Sequence, residues 1–214
     1  MSRLRPTFAN RLLWLELLLV FIGLPLLLRS RLIAIPAIPL LLLAALAAGI
    51  QLYRWGFRLT HLTFWPGARR LQLVFVRAAL CCGAMALCVW WFAPDRLFEL
   101  VTRNPGLWAV IVLLYPLLSV LPQELLFRTY FFHRYRTLFR DDMAMVLASA
   151  LTFGFVHIIY GNWVSVGLSA VGGVLFSITY IQTGSLMAAC VEHAIFGDFL
   201  FTIGLGRYFV NLAR

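Results

Sequence analysis

Lysine is absent from this 214-residue chain. All 18 basic residues are arginine, against 8 acidic ones, for a formal charge of +10. Charge is scarce overall: 12% of residues are charged, where a soluble domain carries about a quarter. With 63% hydrophobic residues and a mean hydropathy of +0.91, a soluble globular domain is excluded. A basic total of this size is met in nucleic-acid-binding proteins. Here, though, the arginines stand at the ends of apolar runs, so they set topology and meet lipid headgroups, and no nucleic-acid partner is expected. Cysteine is sparse. Cys81, Cys82, Cys88 and Cys190 lie inside apolar runs without metal-ligand spacing, which excludes a disulfide framework and predicts buried, inert thiols. Gly-x-Ser-x-Gly is missing, and no serine or cysteine nucleophile motif appears. Long-period repeats and low-complexity tracts are absent as well.

What remains is a series of apolar runs near the ~20 residues needed to cross a bilayer. Backbone groups in lipid must bond within each span, so the runs are helices, and their continuity argues against a barrel. The fold class is all-α, a polytopic transmembrane bundle of about seven spans (six to eight), near 12–28, 32–52, 72–93, 107–132, 142–160, 163–181 and 185–205. Residues 1–106 form an N-terminal three-span region with an amphipathic linker. Residues 107–214 form a four-span core carrying the motifs, within one integral membrane domain. The stretch Ser2 to Arg11 resembles a signal n-region, but no small-x-small cleavage site follows, so the first run is read as a retained span. With the N-terminus in the cytoplasm, Arg3, Arg5, Arg11, Arg54, Arg58, Arg69, Arg70, Arg128, Arg134, Arg136 and Arg140 share that side. Arg29, Arg31, Arg96, Arg103, Arg207 and Arg214 take the other, and Arg77 is ambiguous. The bias favours this orientation. The all-arginine habit fits a GC-rich bacterial genome and hence a bacterial inner membrane.

Ionisable groups inside apolar spans are costly and mark function by default. Glu124 and His157 flank the charged cluster Arg140-Asp141-Asp142 at equal distances. If that cluster is the turn of an antiparallel hairpin, carboxylate and imidazole reach one depth. From Glu124 to the turn is ~16 residues, or ~24 Å, placing Glu124 nearer the cytoplasmic half. His193 interrupts a later run. Ser165, Ser169, Gly173 and Ser177 recur at four-residue steps, a stripe that admits a neighbouring helix closely. Glu124 and Arg128, four apart, share a helix face.

Two imidazoles and a carboxylate support two chemistries. Glu124, His157 and His193 could hold a zinc ion with an open position for water. Alternatively no cofactor is needed: the carboxylate acts as base on a water, one histidine aligns it, and another stabilises the oxyanion. Either way an acyl bond is hydrolysed.

Three motifs in order, Gln123-Glu124-Leu125-Leu126-Phe127-Arg128, Phe153 to His157, and His193 onward, are similar to the Glu-Glu-x-x-x-Arg, Phe-x-x-x-His and His-x-x-x-Asn/Asp pattern of the CAAX protease and bacteriocin-processing family of intramembrane proteases. The resemblance covers about 120–200. It implies a glutamate-dependent peptidase open to the cytosol, acting on a membrane-delivered, lipidated or bacteriocin-like peptide. By position, His157 would help the glutamate activate water, His193 would help form the oxyanion hole, and Arg128 would orient the glutamate. Two departures stand out. Gln123 replaces the first glutamate, and Gly197 occupies the fourth place after His193, with a carboxylate one later at Asp198. The catalytic set expected is therefore Glu124, His157, His193, Arg128 and Asp198, with Gln123, Phe153 and Glu192 toward substrate. The alternative is a catalytically silent member that binds a peptide or lipidated partner, with Gln123 rather than Glu124 facing the cavity.

Overall fold

A computed structural model describes residues 8–32, 35–57 and 65–210. Arg3, Arg5, Arg58 and Arg214, used in the orientation count, lie outside the described residues. Among the described residues, six helices are long and apolar enough to cross a membrane: α1 (Phe8–Arg29), α2 (Ala37–Arg54), α3 (Ala68–Phe92), α5 (Pro105–Arg134), α6 (Asp142–Tyr160) and α7 (Trp163–Thr183). A short α4 (Glu99–Arg103) precedes α5, and α8 (Leu186–Thr202) follows α7. No strand occurs among the described residues, so the all-helical bundle expected from the apolar runs is borne out.

The element bounds follow from local chemistry. The second span begins at Ala37 rather than 32 because Pro36 is extended, with ψ of 134°. Asn104, Asp141, Asn162 and Ser185 each cap a helix by accepting a hydrogen bond from the backbone N–H three residues on. Gly161 and Gly184 close α6 and α7 with φ of 73° and 66°, a left-handed turn that costs glycine little. The seventh long helix, α8, has only 17 residues, about 25 Å against a hydrocarbon core of about 30 Å. It is enclosed by α3, α5 and α7, which is why so many of its residues are buried.

Helix α5 is irregular. Proline lacks the N–H for an i→i−4 bond and its ring crowds the preceding turn. Pro116 opens a wide π-helical turn over Pro116–Val120, and a second one spans Leu125–Tyr130. Between them stands a single α-helical stretch, Leu121–Glu124, containing Pro122, Gln123 and Glu124. Wide turns of this kind are frequent at functional sites.

The hairpin predicted around residues 140–142 forms. Phe127 of α5 meets Phe153 of α6 edge to face at 5.0 Å, so Glu124 and His157, three and four residues farther from the turn, lie at one level. Helices α6 and α7 pack most closely. A Cβ at Gly154 would lie 2.7 Å from Ala170 Cβ, and one at Gly173 would lie 2.9 Å from Ala150 Cα. Ser165, Ser169, Gly173 and Ser177 are all buried in α7. The small-residue stripe thus has the packing role expected of it.

The expectation that all four thiols are buried needs correction. Cys82 and Cys190 are buried, but Cys81 is half-buried and Cys88 sits on an exposed face of α3. Helix α1 is clasped to the end of α5: the Glu16 carboxylate accepts from Arg134 at 3.0 and 2.5 Å and from the Tyr135 hydroxyl at 3.0 Å. Burial, reinforced by the Glu16 charge, pushes the Tyr135 phenol above its ordinary value. Trp55 stacks on Tyr130 and His133 and covers the Arg134 guanidinium, closing that end as an aromatic cap.

Candidate active site

Glu124 is fully buried and its oxygens are occupied. Oε1 lies 2.8 Å from Nδ1 of His193, and Oε2 lies 3.1 Å from Nε of Arg128, in an ion pair whose N–H is not aligned for a hydrogen bond. Arg128 is equally buried. Its Nη1 donates to Ser149 Oγ at 3.1 Å, and Ser149 donates in turn to the Phe127 carbonyl at 2.7 Å. The guanidinium also lies over the rings of Phe153 (5.1 Å) and Phe176 (5.8 Å), which recovers part of its desolvation cost. Phe176 stacks flat on His193 at 4.5 Å. A carboxylate facing Nδ1 requires a proton there, so neutral His193 presents an acceptor at Nε2. The Tyr115 hydroxyl meets that nitrogen at 3.1 Å.

Gln123 and His157 face the other way, into open space. Two cavities of about 720 and 730 Å³ meet at them, sharing Ala37, Ile38, Ser119, Gln123, His157 and Tyr160 as wall. The first runs along α1 and α2 to Glu16, Trp55 and Arg134. The second is more apolar, between Met85, Leu114, Phe153, Leu200 and Phe201, and carries Tyr115 and His193 on its wall. Gln123 donates Nε2–H to Ser119 Oγ at 2.8 Å, while its Oε1 is without a protein partner. His157 places Nδ1 2.7 Å from the Phe153 carbonyl, so Nδ1 carries the proton and Nε2 holds the lone pair. No protein group bonds that second nitrogen among the described residues. Glu124 and Gln123 diverge because successive helical residues are ~100° apart. Of the two, Gln123 meets the cavity.

The remaining expected residues are dispersed. Phe153 does line the second cavity and touches both His157 (4.9 Å) and His193 (5.5 Å). Glu192 does not face it. Its Oε1 pairs with Arg77 of α3 at 2.6 Å and its Oε2 accepts from Thr179 at 2.6 Å, tying α3, α7 and α8 together. Asp198 does not bond His193. It is half-buried, with Oδ1 unpartnered, and the place beside His193 is taken by Tyr115. The zinc set Glu124, His157 and His193 does not assemble either. Among the described residues no three His, Cys, Asp or Glu side chains are placed to hold a metal ion, and both Glu124 oxygens are committed to Arg128 and His193. Tyr115, Ser119, Ser149 and the Arg77 partnership carried no sequence signal, because each depends on which helix faces which.

Residues 105–197 match the model of one family, described as Type II CAAX prenyl endopeptidase Rce1-like. This stretch of the chain is therefore similar to the CAAX proteases, the family its motifs resemble. The match spans α5, α6, α7 and α8 as far as Gly197, and so contains Gln123, Glu124, His157 and His193. No curated protein and no solved structure matches the chain.

Proposed function

We propose that the chain is an intramembrane endopeptidase that takes an apolar or lipid-bearing peptide into the joined cavities and cuts it where they meet. The family matched by 105–197 is one of proteases acting on peptides or prenylated proteins. The observation that carries the reading for this chain is His157, an imidazole with one nitrogen locked on the Phe153 carbonyl and the other open at the cavity junction beside Gln123.

In this reading His157 is the base. Water gives one proton to Nε2. The water oxygen bonds to the scissile carbonyl carbon. As the C–N bond breaks, the leaving nitrogen takes the proton back from the imidazolium, leaving an acid and an amine. A base of this kind contributes about 10²–10⁴-fold. Glu124 is not the base but a positioning residue that fixes His193, with Arg128 compensating its charge. The apolar cavity suits a lipid or hydrophobic side chain, and the arginine count supports a cytosolic Glu16–Arg134 end.

A second reading is capture without cleavage, favoured by Gln123 standing at the cavity where the resemblance implies a carboxylate. One assay separates the two. An internally quenched peptide bearing a farnesyl-cysteine is supplied to the purified protein in liposomes, with His157→Ala and Gln123→Glu variants. The peptidase reading expects cleavage that His157→Ala lowers by about 10²–10⁴-fold, and that Gln123→Glu raises by adding a second base. Saturable binding with no cleavage by wild type establishes the silent reading instead.

A further inference from the structure

Hydrolysis at the cavity junction builds negative charge on the carbonyl oxygen, and that charge requires a donor. His193 has both nitrogens engaged, Nδ1 by Glu124 and Nε2 by Tyr115. His157 presents a lone pair and Gln123 Oε1 is an acceptor. We infer that Tyr115 is the catalytic residue that binds the developing oxyanion, through its phenolic O–H. The inference rests on the peptidase reading above and adds to it a residue from outside all three sequence motifs.

Three observations carry it. Tyr115 belongs to the wall of the cavity that also holds Gln123, His157 and His193. Its hydroxyl ends a chain in which Glu124 Oε1 holds His193 Nδ1 at 2.8 Å and His193 Nε2 holds the hydroxyl at 3.1 Å. Carboxylate, imidazole and hydroxyl in that order hold the phenol oxygen in place before substrate arrives, so that only its O–H has to turn during reaction. Finally, the ring is seated on Gly197. Any Cβ at that position would run into Tyr115, so the missing side chain of α8 is the slot that admits the phenol. The ring is held edge-on by His193 at 6.1 Å and Phe201 at 5.6 Å. Rotation about the C–O bond turns the O–H from Nε2 toward the substrate oxygen. The exchange is favourable because a hydrogen bond to an ionised acceptor is about twice as strong as a neutral one.

The test uses the farnesylated quenched peptide and three variants in liposomes. Tyr115→Phe is expected to lower kcat by about 10²–10³-fold with KM nearly unchanged, as for loss of one oxyanion donor. Because Phe could disturb the seat on Gly197, 3-fluorotyrosine is also placed at 115, preserving shape while making the phenol more acidic. The kcat at neutral pH should then rise with that acidity while KM stays in place, which a packing role would not do. Wild-type kcat in Tyr115→Phe, or a kcat that fluorotyrosine leaves unmoved, overturns the assignment while leaving the peptidase reading intact, provided His157→Ala is inactive. Equal silence of wild type and His157→Ala overturns both.

Discussion

The pair Glu124 and Arg128 is the most stringent place to perturb this molecule. Both side chains are fully buried, 3.1 Å apart, and neither has solvent to fall back on. Removing one partner strands the other, which costs about 3–5 kcal/mol, while replacing both with neutral groups of similar volume is often near neutral. Arg128→Met keeps the contacts with Phe153 and Phe176 and deletes the charge. Glu124→Gln keeps an oxygen for His193 Nδ1 and deletes the charge. For a chain of this size each kcal/mol moves Tm by about 2–4 °C, so either single substitution should lower it by about 6–20 °C. The double substitution should lose less than the sum, by a coupling of about 1–3 kcal/mol. Tryptophan fluorescence during heating in detergent gives the three Tm values, and the chain has seven tryptophans to report. Additive losses, or singles that melt like wild type, would refute the claim that the two charges hold each other in place. The same proteins test the role assigned to Glu124. As a positioning residue, Glu124→Gln should retain measurable cleavage after correction for folded fraction, whereas loss as complete as that of His157→Ala would make it the base.

Three further outcomes follow from the packing and the donor set. Gly197→Ala drives a methyl into the Tyr115 ring and should destabilise by about 1–3 kcal/mol, read as a lower Tm and reduced kcat. Arg77→Ala leaves the buried Glu192 carboxylate without its cation and should cost about 3–5 kcal/mol, whereas Arg77→Ala with Glu192→Gln should restore most of it in the same melting assay. Extended chelator treatment should leave cleavage unchanged and elemental analysis should find no stoichiometric zinc, since no three ligands converge among the described residues.

The hairpin was legible because it depends on counting. Arg140-Asp141-Asp142 cannot lie in lipid, so the flanking helices must turn there, and equal arm lengths put 124 and 157 at one level. The close approach of α6 and α7 was legible for a similar reason, since small residues at four-residue steps leave only one face through which another backbone can come near. The direction of Glu124 was not. Azimuth on α5 depends on two wide turns, and a proline announces an irregularity without stating how many residues it absorbs. Nor could Tyr115 be found, nine positions before Glu124 and on the far side of Pro116. Arg77 and Glu192 each appeared as an isolated charge in an apolar run, and only the placement of α8 between α3 and α7 makes them partners.

The wide turn at Pro116–Val120 amounts to one residue more than an ordinary helical turn would hold. Excising that surplus would leave an ordinary turn, and everything after it would keep its seat. A residue removed instead from the regular rod just upstream, with no surplus there to absorb the loss, would turn the acid to the seat now held by the amide. Whether a carboxylate or a carboxamide meets the cavity is thus decided by how many residues the rod holds before position 123 as much as by the letter there.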